Sequence, residues 1–152
     1  MPEAVPVQES PVGIDPLAWV RLRGMGALAE KMGIEWVEFT ADRAVARMPA
    51  EGNTQPVGLV HGGAYVVLAE SLGSMHANYH AFLGANGRSR LAVGVDINAT
   101  HTRSARSGWV TGVCAPLHLG RSITVHEIVC RDDDGHRLST VRITNMIKDL
   151  DD

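Results

Sequence analysis

The hydrophobic pattern of this chain is of one kind in its first half and another in its second. From Gly62 to Ala77 nearly every position is apolar or small, and Glu70 is the one residue certain to be charged at neutral pH. A segment without a polar face predicts a helix buried on most sides. It begins at Gly62, runs to His80 or slightly beyond, and is stopped by Gly84 to Gly87. From Leu91 onward the period becomes two, with Leu91, Val93, Val95, Ile97 and Ala99 alternating with smaller or polar residues. That predicts a half-buried strand. Trp109 to Leu119, Ile123 to Cys130 and Arg137 to Ile147 read as three further strands, joined by turns at Arg103–Gly108, Gly120–Ser122 and Asp132–Gly135. Short connections between successive strands predict an antiparallel meander.

Upstream the pattern is looser. Residues 1–13 are rich in proline and read as a flexible arm, leaving 14–148 as a single domain. Asp15-Pro16 has the form of an N-cap followed by proline at the first helical position. Leu17, Trp19, Val20, Met25, Leu28 and Ala29 predict one helix ending at Gly33. Ile34 to Met48 predicts one irregular strand, and Pro49 to Pro56 a loop leading to the apolar helix. The tail from Lys148 reads as polar and frayed. One long apolar helix and a run of consecutive strands predict an α+β architecture, a curved antiparallel sheet wrapped around that helix.

Composition narrows the function classes. The chain has 152 residues, 45% hydrophobic and 20% charged, with a net charge of −3. That is ordinary for one globular domain, and the balance draws it neither to nucleic acid nor to an acidic membrane. Cys114 and Cys130 fall within strands without metal-ligand spacing and read as buried free thiols in a reducing compartment. No apolar run approaches the roughly 18 residues of a membrane span. The N-terminal residues lack the basic start and apolar core of a signal peptide, so a cytoplasmic location is expected.

The chemistry centres on the apolar helix. His61 and Glu70 are nine residues apart, hence about 13 Å apart along one helix and on roughly opposite sides. They cannot share a site within one chain. A two-fold dimer with antiparallel helices would bring each to the other's partner and create two equivalent sites. Gly62 and Gly63 leave the first helical N–H groups sterically open, and these favour an anionic or polarised oxygen such as a thioester carbonyl. Gln55 and His61 flank that end as neutral hydrogen-bonding groups. Ser74 follows Glu70 by four residues and lies on the same face. Arg103, Arg106, Arg121 and Ser122 occupy two successive strand turns and suit the phosphates of a cofactor-sized ligand.

His61-Gly62-Gly63, followed by Glu70 in Leu68-Ala69-Glu70-Ser71-Leu72-Gly73-Ser74, resembles the hotdog-fold acyl-coenzyme A thioesterases. The likeness is to the branch with a helix glutamate, which includes 4-hydroxybenzoyl-CoA thioesterases of the Arthrobacter type. It is nearer still to bacterial enzymes that hydrolyse aroyl thioesters in enterobactin and menaquinone metabolism. Asn98-Ala99-Thr100-His101, Val113 to Arg121 and Glu127-Ile128-Val129 extend it, so that it spans about Asn53 to Ile147. The resemblance implies that Glu70 is the catalytic carboxylate, as nucleophile or as general base. It implies that the Gly62 N–H donates to the thioester carbonyl, that His61 helps place carbonyl and leaving thiolate, and that Gln55 positions water. Ser74 would line the acyl pocket and Gly63 would contact the substrate, with His101, Arg103, Arg121 and Ser122 near coenzyme A. It further implies a dimer of dimers, a homotetramer. Coenzyme A, or alternatively an acyl-carrier protein, would be part of the thioester substrate, with no separate cofactor and no metal.

His76, with His80 a turn later, departs from the small apolar residues usual in such proteins. The pair has metal-ligand spacing without an identifiable third ligand, or faces the pocket or solvent. A hotdog hydratase or dehydratase is the competing enzymatic reading, although its histidine usually stands well upstream of the helix. A non-catalytic acyl-CoA-binding protein is another, although mere binding needs no helix carboxylate.

Overall fold

The computed structural model describes residues 13–150, so the arm expected over 1–13 lies outside the described residues except at its last position. The elements are α1 (Pro16–Arg23), α2 (Ala27–Lys31), β1 (Glu35–Phe39), β2 (Ala44–Pro49), α3 (Gly62–Leu83), β3 (Arg90–His101), β4 (Trp109–Leu119), β5 (Ile123–Arg131) and β6 (Arg137–Asp149). The six strands form one antiparallel sheet in the order β1-β2-β4-β5-β6-β3. It curves around α3, the α+β hotdog arrangement expected.

α3 is central because its side chains leave it no alternative. Leu68, Ala69, Leu72, Gly73, Ala77 and Ala81 are buried along it. The sheet supplies Val110, Cys114, Ile128, Leu138, Val141 and Ile143 against the leucines and Ala69, and Ala92 and Ile147 against Ala77 and Ala81. The helix lies close to the strands where the residues are small. A Cβ on Gly73 would run into Ile143 Cγ2, and one on Gly112 of β4 would stand 2.8 Å from Leu72 Cδ1. The thiols of Cys114 and Cys130 are free and buried, as expected, and burial pushes both up to about 12.

Four expectations are corrected. The first helix is two. Gly24 and Gly26 take positive φ (76° and 82°), so the apolar periodicity continues while the backbone does not. α1 begins where the cap predicts, with Ala18 N donating to Asp15 Oδ2 at 2.9 Å. Trp19 then anchors it, buried at 4.9 Å from the Tyr79 ring and 5.3 Å from the Phe82 ring of α3. The single strand over 34–48 is a hairpin, β1 and β2, turned by Thr40, whose Oγ1 accepts from the Arg43 N–H at 3.1 Å. The meander holds for β4, β5 and β6 only. β3 crosses to the far side and pairs along its length with β6. Finally, Lys148 and Asp149 belong to β6, and Asp149 accepts from Arg90 Nε at 2.9 Å.

Candidate active site

Two stations lie on opposite sides of α3. The first is its N-terminal end. His61 is the N-cap, and its Nδ1 accepts from the Gly63 N–H at 2.9 Å. With Nδ1 occupied as acceptor, the neutral ring carries its proton on Nε2 and offers a donor outward. The Gly62 N–H has no carbonyl four residues back within the helix. His101, at the end of β3, closes over this glycine: a Cβ there would lie 2.9 Å from His101 Nε2. The ring is held by Ser139 Oγ at 2.8 Å from Nδ1 and by Tyr65, whose ring centroid is 5.2 Å away. Gln55 reaches this end through a tight turn in which its Oε1 accepts from the Val57 N–H at 2.6 Å. Arg106 donates from Nη1 to Val57 O at 3.0 Å, which places the 103–106 loop beside the same turn.

The second station is a groove of about 280 Å³ on the other flank. Val67, Glu70, Ser71, Ser74, Met75 and Asn78 of α3 line it, with Met25 and Leu28 from the α1–α2 region. Glu70 is exposed here, not sealed in the core. Its carboxylate lies against edge strand β3, where a Cβ on Gly94 would stand 3.0 Å from Oε1. Asn78 holds helix and strand together at this point, donating from Nδ2 to Ala92 O at 2.9 Å and accepting at Oδ1 from the Ala92 N–H at 3.0 Å. Ser74 shares the groove with Glu70, as its spacing predicts. Its hydroxyl, however, donates to Asn145 Oδ1 on β6 at 3.1 Å.

The sequence-predicted residues therefore separate into groups. Gln55, His61, Gly62, Gly63, His101 and the Arg103–Arg106 loop gather at the start of α3, and Glu70 and Ser74 stand in the groove. Arg121 and Ser122 do not join Arg103. They sit by the far end of α3, where Arg121 O accepts from Arg90 Nη2 at 2.7 Å and His80 Nε2 meets Gly120 O at 2.9 Å. Asn78, Gly94 and Asn145 were not singled out from sequence. Their roles arise from contacts between distant segments, and no local motif marks them.

His76 faces neither pocket nor solvent. It is buried, with Nε2 at 3.0 Å from Thr40 O and Nδ1 at 2.9 Å from His126 Nε2. Since Thr40 O only accepts, the neutral His76 carries its proton on Nε2, and His126 must donate from its own Nε2. Burial pushes His76 below its ordinary value, and burial with the nearby His76 and His80 pushes His126 down to about 3. Both rings are neutral at pH 7. Among the described residues the group compact enough to hold a cation is Asp132, Asp134 and His136 in the exposed β5–β6 turn, and His76 and His80 form no such group.

Comparison with known proteins defines the class. Residues 57–139 match the family described as the thioesterase superfamily. The proofreading thioesterase EntH of Cronobacter turicensis is 43% identical over 124 residues, which cover 81% of this chain and 87% of that protein. The 1,4-dihydroxy-2-naphthoyl-CoA hydrolase of Escherichia coli is 42% identical over 125 residues, covering 82% and 88%. The crystal structure of a glutamine-to-alanine variant of thioesterase PA1618 from Pseudomonas aeruginosa superposes with a TM-score of 0.80. It is 35% identical, over 91% of this chain and 96% of that one. The chain belongs to the thioesterase superfamily. It is a hotdog-fold thioesterase, an enzyme that hydrolyses thioesters.

Proposed function

We propose that the substrate is an acyl-coenzyme A with an aromatic or otherwise bulky acyl group, cleaved to the free acid and coenzyme A at a site shared by two chains. The observation that carries this reading is the placement of Glu70. It stands in an apolar-walled groove, while the polarising end of its own helix lies about 13 Å further along the axis and on another face. A second copy must supply the helix end. β3 supports such pairing, being an edge strand with Val93 and Val95 38% and 50% exposed, and an unpaired edge is a template for another strand. Glu70 lies against that strand. A homodimer, or a dimer of dimers as a homotetramer, follows.

In the reaction so drawn, the acyl group lies along Met25, Leu28, Val67 and Met75, and the thioester carbonyl accepts from the Gly62 N–H of the second copy. A Glu70 oxygen attacks the carbonyl carbon, the C–S bond breaks and the thiolate leaves. Water placed by Gln55 then hydrolyses the mixed anhydride. In the one-step variant Glu70 instead takes the proton of the attacking water. His61 offers its outward Nε2–H to the carbonyl or the departing sulfur. In this reading His101 and Arg103 contact the coenzyme A moiety, with Arg121 and Ser122 reaching it only from another chain. No cofactor beyond that moiety and no metal enters, and neither nucleic acid nor membrane is a partner. Among the described residues no helix is long and apolar enough to cross a membrane, which accords with the proposed cytoplasmic location. The relatives' names, a proofreading thioesterase and an aroyl-CoA hydrolase, support the substrate class.

The test is Glu70→Gln, assayed by thiol release from benzoyl-CoA. kcat falls by orders of magnitude with KM little changed. Wild-type turnover by the variant would remove Glu70 from the chemistry.

A further inference from the structure

Asn145 is fully buried on β6, with Gly94 of β3 as its cross-strand partner on one side and Thr124 of β5 on the other. A carboxamide there is costly. Its Nδ2 has no partner among the described residues, nor does Thr124 Oγ1 beside it. An unsatisfied buried group of this kind costs about 1–3 kcal/mol, which an apolar side chain of similar size would avoid. What the amide does make is one hydrogen bond, accepting at Oδ1 from Ser74 Oγ at 3.1 Å. Its setting is equally specific. A Cβ on Gly94 would lie 3.0 Å from Glu70 Oε1 and 3.8 Å from Asn145 Oδ1, so carboxylate and amide flank the same point of β3. The β3–β6 ladder is irregular just there, between Gly94 and Asp96.

A serine hydroxyl has one proton. With that proton donated to Asn145, Ser74 cannot donate to Glu70 one turn earlier on the same face. It presents only lone pairs to the groove, where it accepts from a water or a substrate hydroxyl. The Glu70 carboxylate keeps its lone pairs for attack or for proton abstraction. We infer that Asn145 is a positioning residue for the hydrolysis, acting through Ser74: it holds the Ser74 proton away from Glu70. The inference rests on the proposed role of Glu70.

Releasing the Ser74 proton tests it. In Asn145→Leu the hydroxyl turns to Glu70 and stabilises the charged carboxylate, which weakens it as nucleophile or base. kcat falls about tenfold, KM stays, and the acid limb of the kcat/KM profile moves to lower pH by about one unit. In a Ser74→Ala background there is no proton to release, so adding Asn145→Leu changes neither kcat nor the acid limb. Asn145→Asp retains an acceptor for Ser74 but adds a negative charge near Glu70, and moves the acid limb to higher pH. Equal effects of Asn145→Leu with and without Ser74, or an unmoved acid limb in both Asn145 variants, overturn the inference. Glu70→Gln run alongside separates the two failures. If it retains activity, the role of Glu70 and this inference fall together. If it is inactive while Asn145 and Ser74 act additively, only the inference falls.

Discussion

The buried pair His76–His126 makes the stability of this protein depend on pH in a defined window. Folding holds both rings neutral, with His126 down to about 3 and His76 lowered as well, chiefly through burial. In the unfolded chain both titrate near the ordinary histidine value of about 6.5. Between those values the unfolded state binds more protons, so stability rises with pH there. It is complete above about pH 6.5 and is lost as pH falls towards 3. At pH 5 the unfolded chain gains about 2 kcal/mol from protonating one such histidine. His76 adds a contribution of the same sign. Its surroundings do not reverse it: burial outweighs the Thr40 carbonyl and Asp42, which favour the charged ring, and His80 opposes that charge. Protonating His76 would also break the Thr40–His76–His126 chain, since its acceptor nitrogen would become a donor facing the His126 donor.

Urea unfolding at pH 7 and pH 5 measures this directly. With a slope of about 1–3 kcal/mol per molar, the wild-type midpoint falls by roughly 1 M. The double variant His76→Leu/His126→Leu, which removes both titrating rings, shows a much flatter dependence. A wild-type midpoint that does not move between pH 7 and 5, or a double variant with the same slope as wild type, would refute the reasoning.

Two further outcomes follow from geometry. Gly73→Ala puts a methyl group into Ile143 Cγ2 with Ile128 Cδ1 3.5 Å away. Overpacking of about 1–3 kcal/mol outweighs a helix-propensity gain of about 1 kcal/mol, so thermal denaturation shows a lower midpoint, and a raised one contradicts the packing described. Arg103→Ala raises KM for coenzyme A esters far more than for pantetheine-type thioesters, because only the former carry the nucleotide phosphates. Equal effects on the two substrates would remove Arg103 from phosphate binding.

What could be read from the sequence is what local physics decides. α3 was legible because the sixteen positions from Gly62 to Ala77 lack charge apart from Glu70, and its start because glycines after a histidine leave N–H groups open. The late strands were legible from their period of two. The position of β3 was not, since alternation says which face a residue takes but not which strand lies beside it. The split between α1 and α2 was hidden because apolar spacing runs through Gly24 and Gly26, although two glycines within three residues were the available signal. His126 and Asn145 were illegible for the same reason as β3. The one pairs with His76 across 50 residues, the other with Ser74 across 71.

The shared site is tested most directly by complementation. Glu70→Gln and His61→Ala are each purified as inactive or strongly impaired homo-oligomers, then dissociated, mixed in equal amounts and reassociated. If Glu70 of one chain works with the helix end of its partner, half of the dimers are mixed, and each mixed dimer holds one intact site and one doubly damaged site. Thiol release from benzoyl-CoA then recovers to about a quarter of the wild-type rate. A mixture that stays as inactive as its two components would contradict the account.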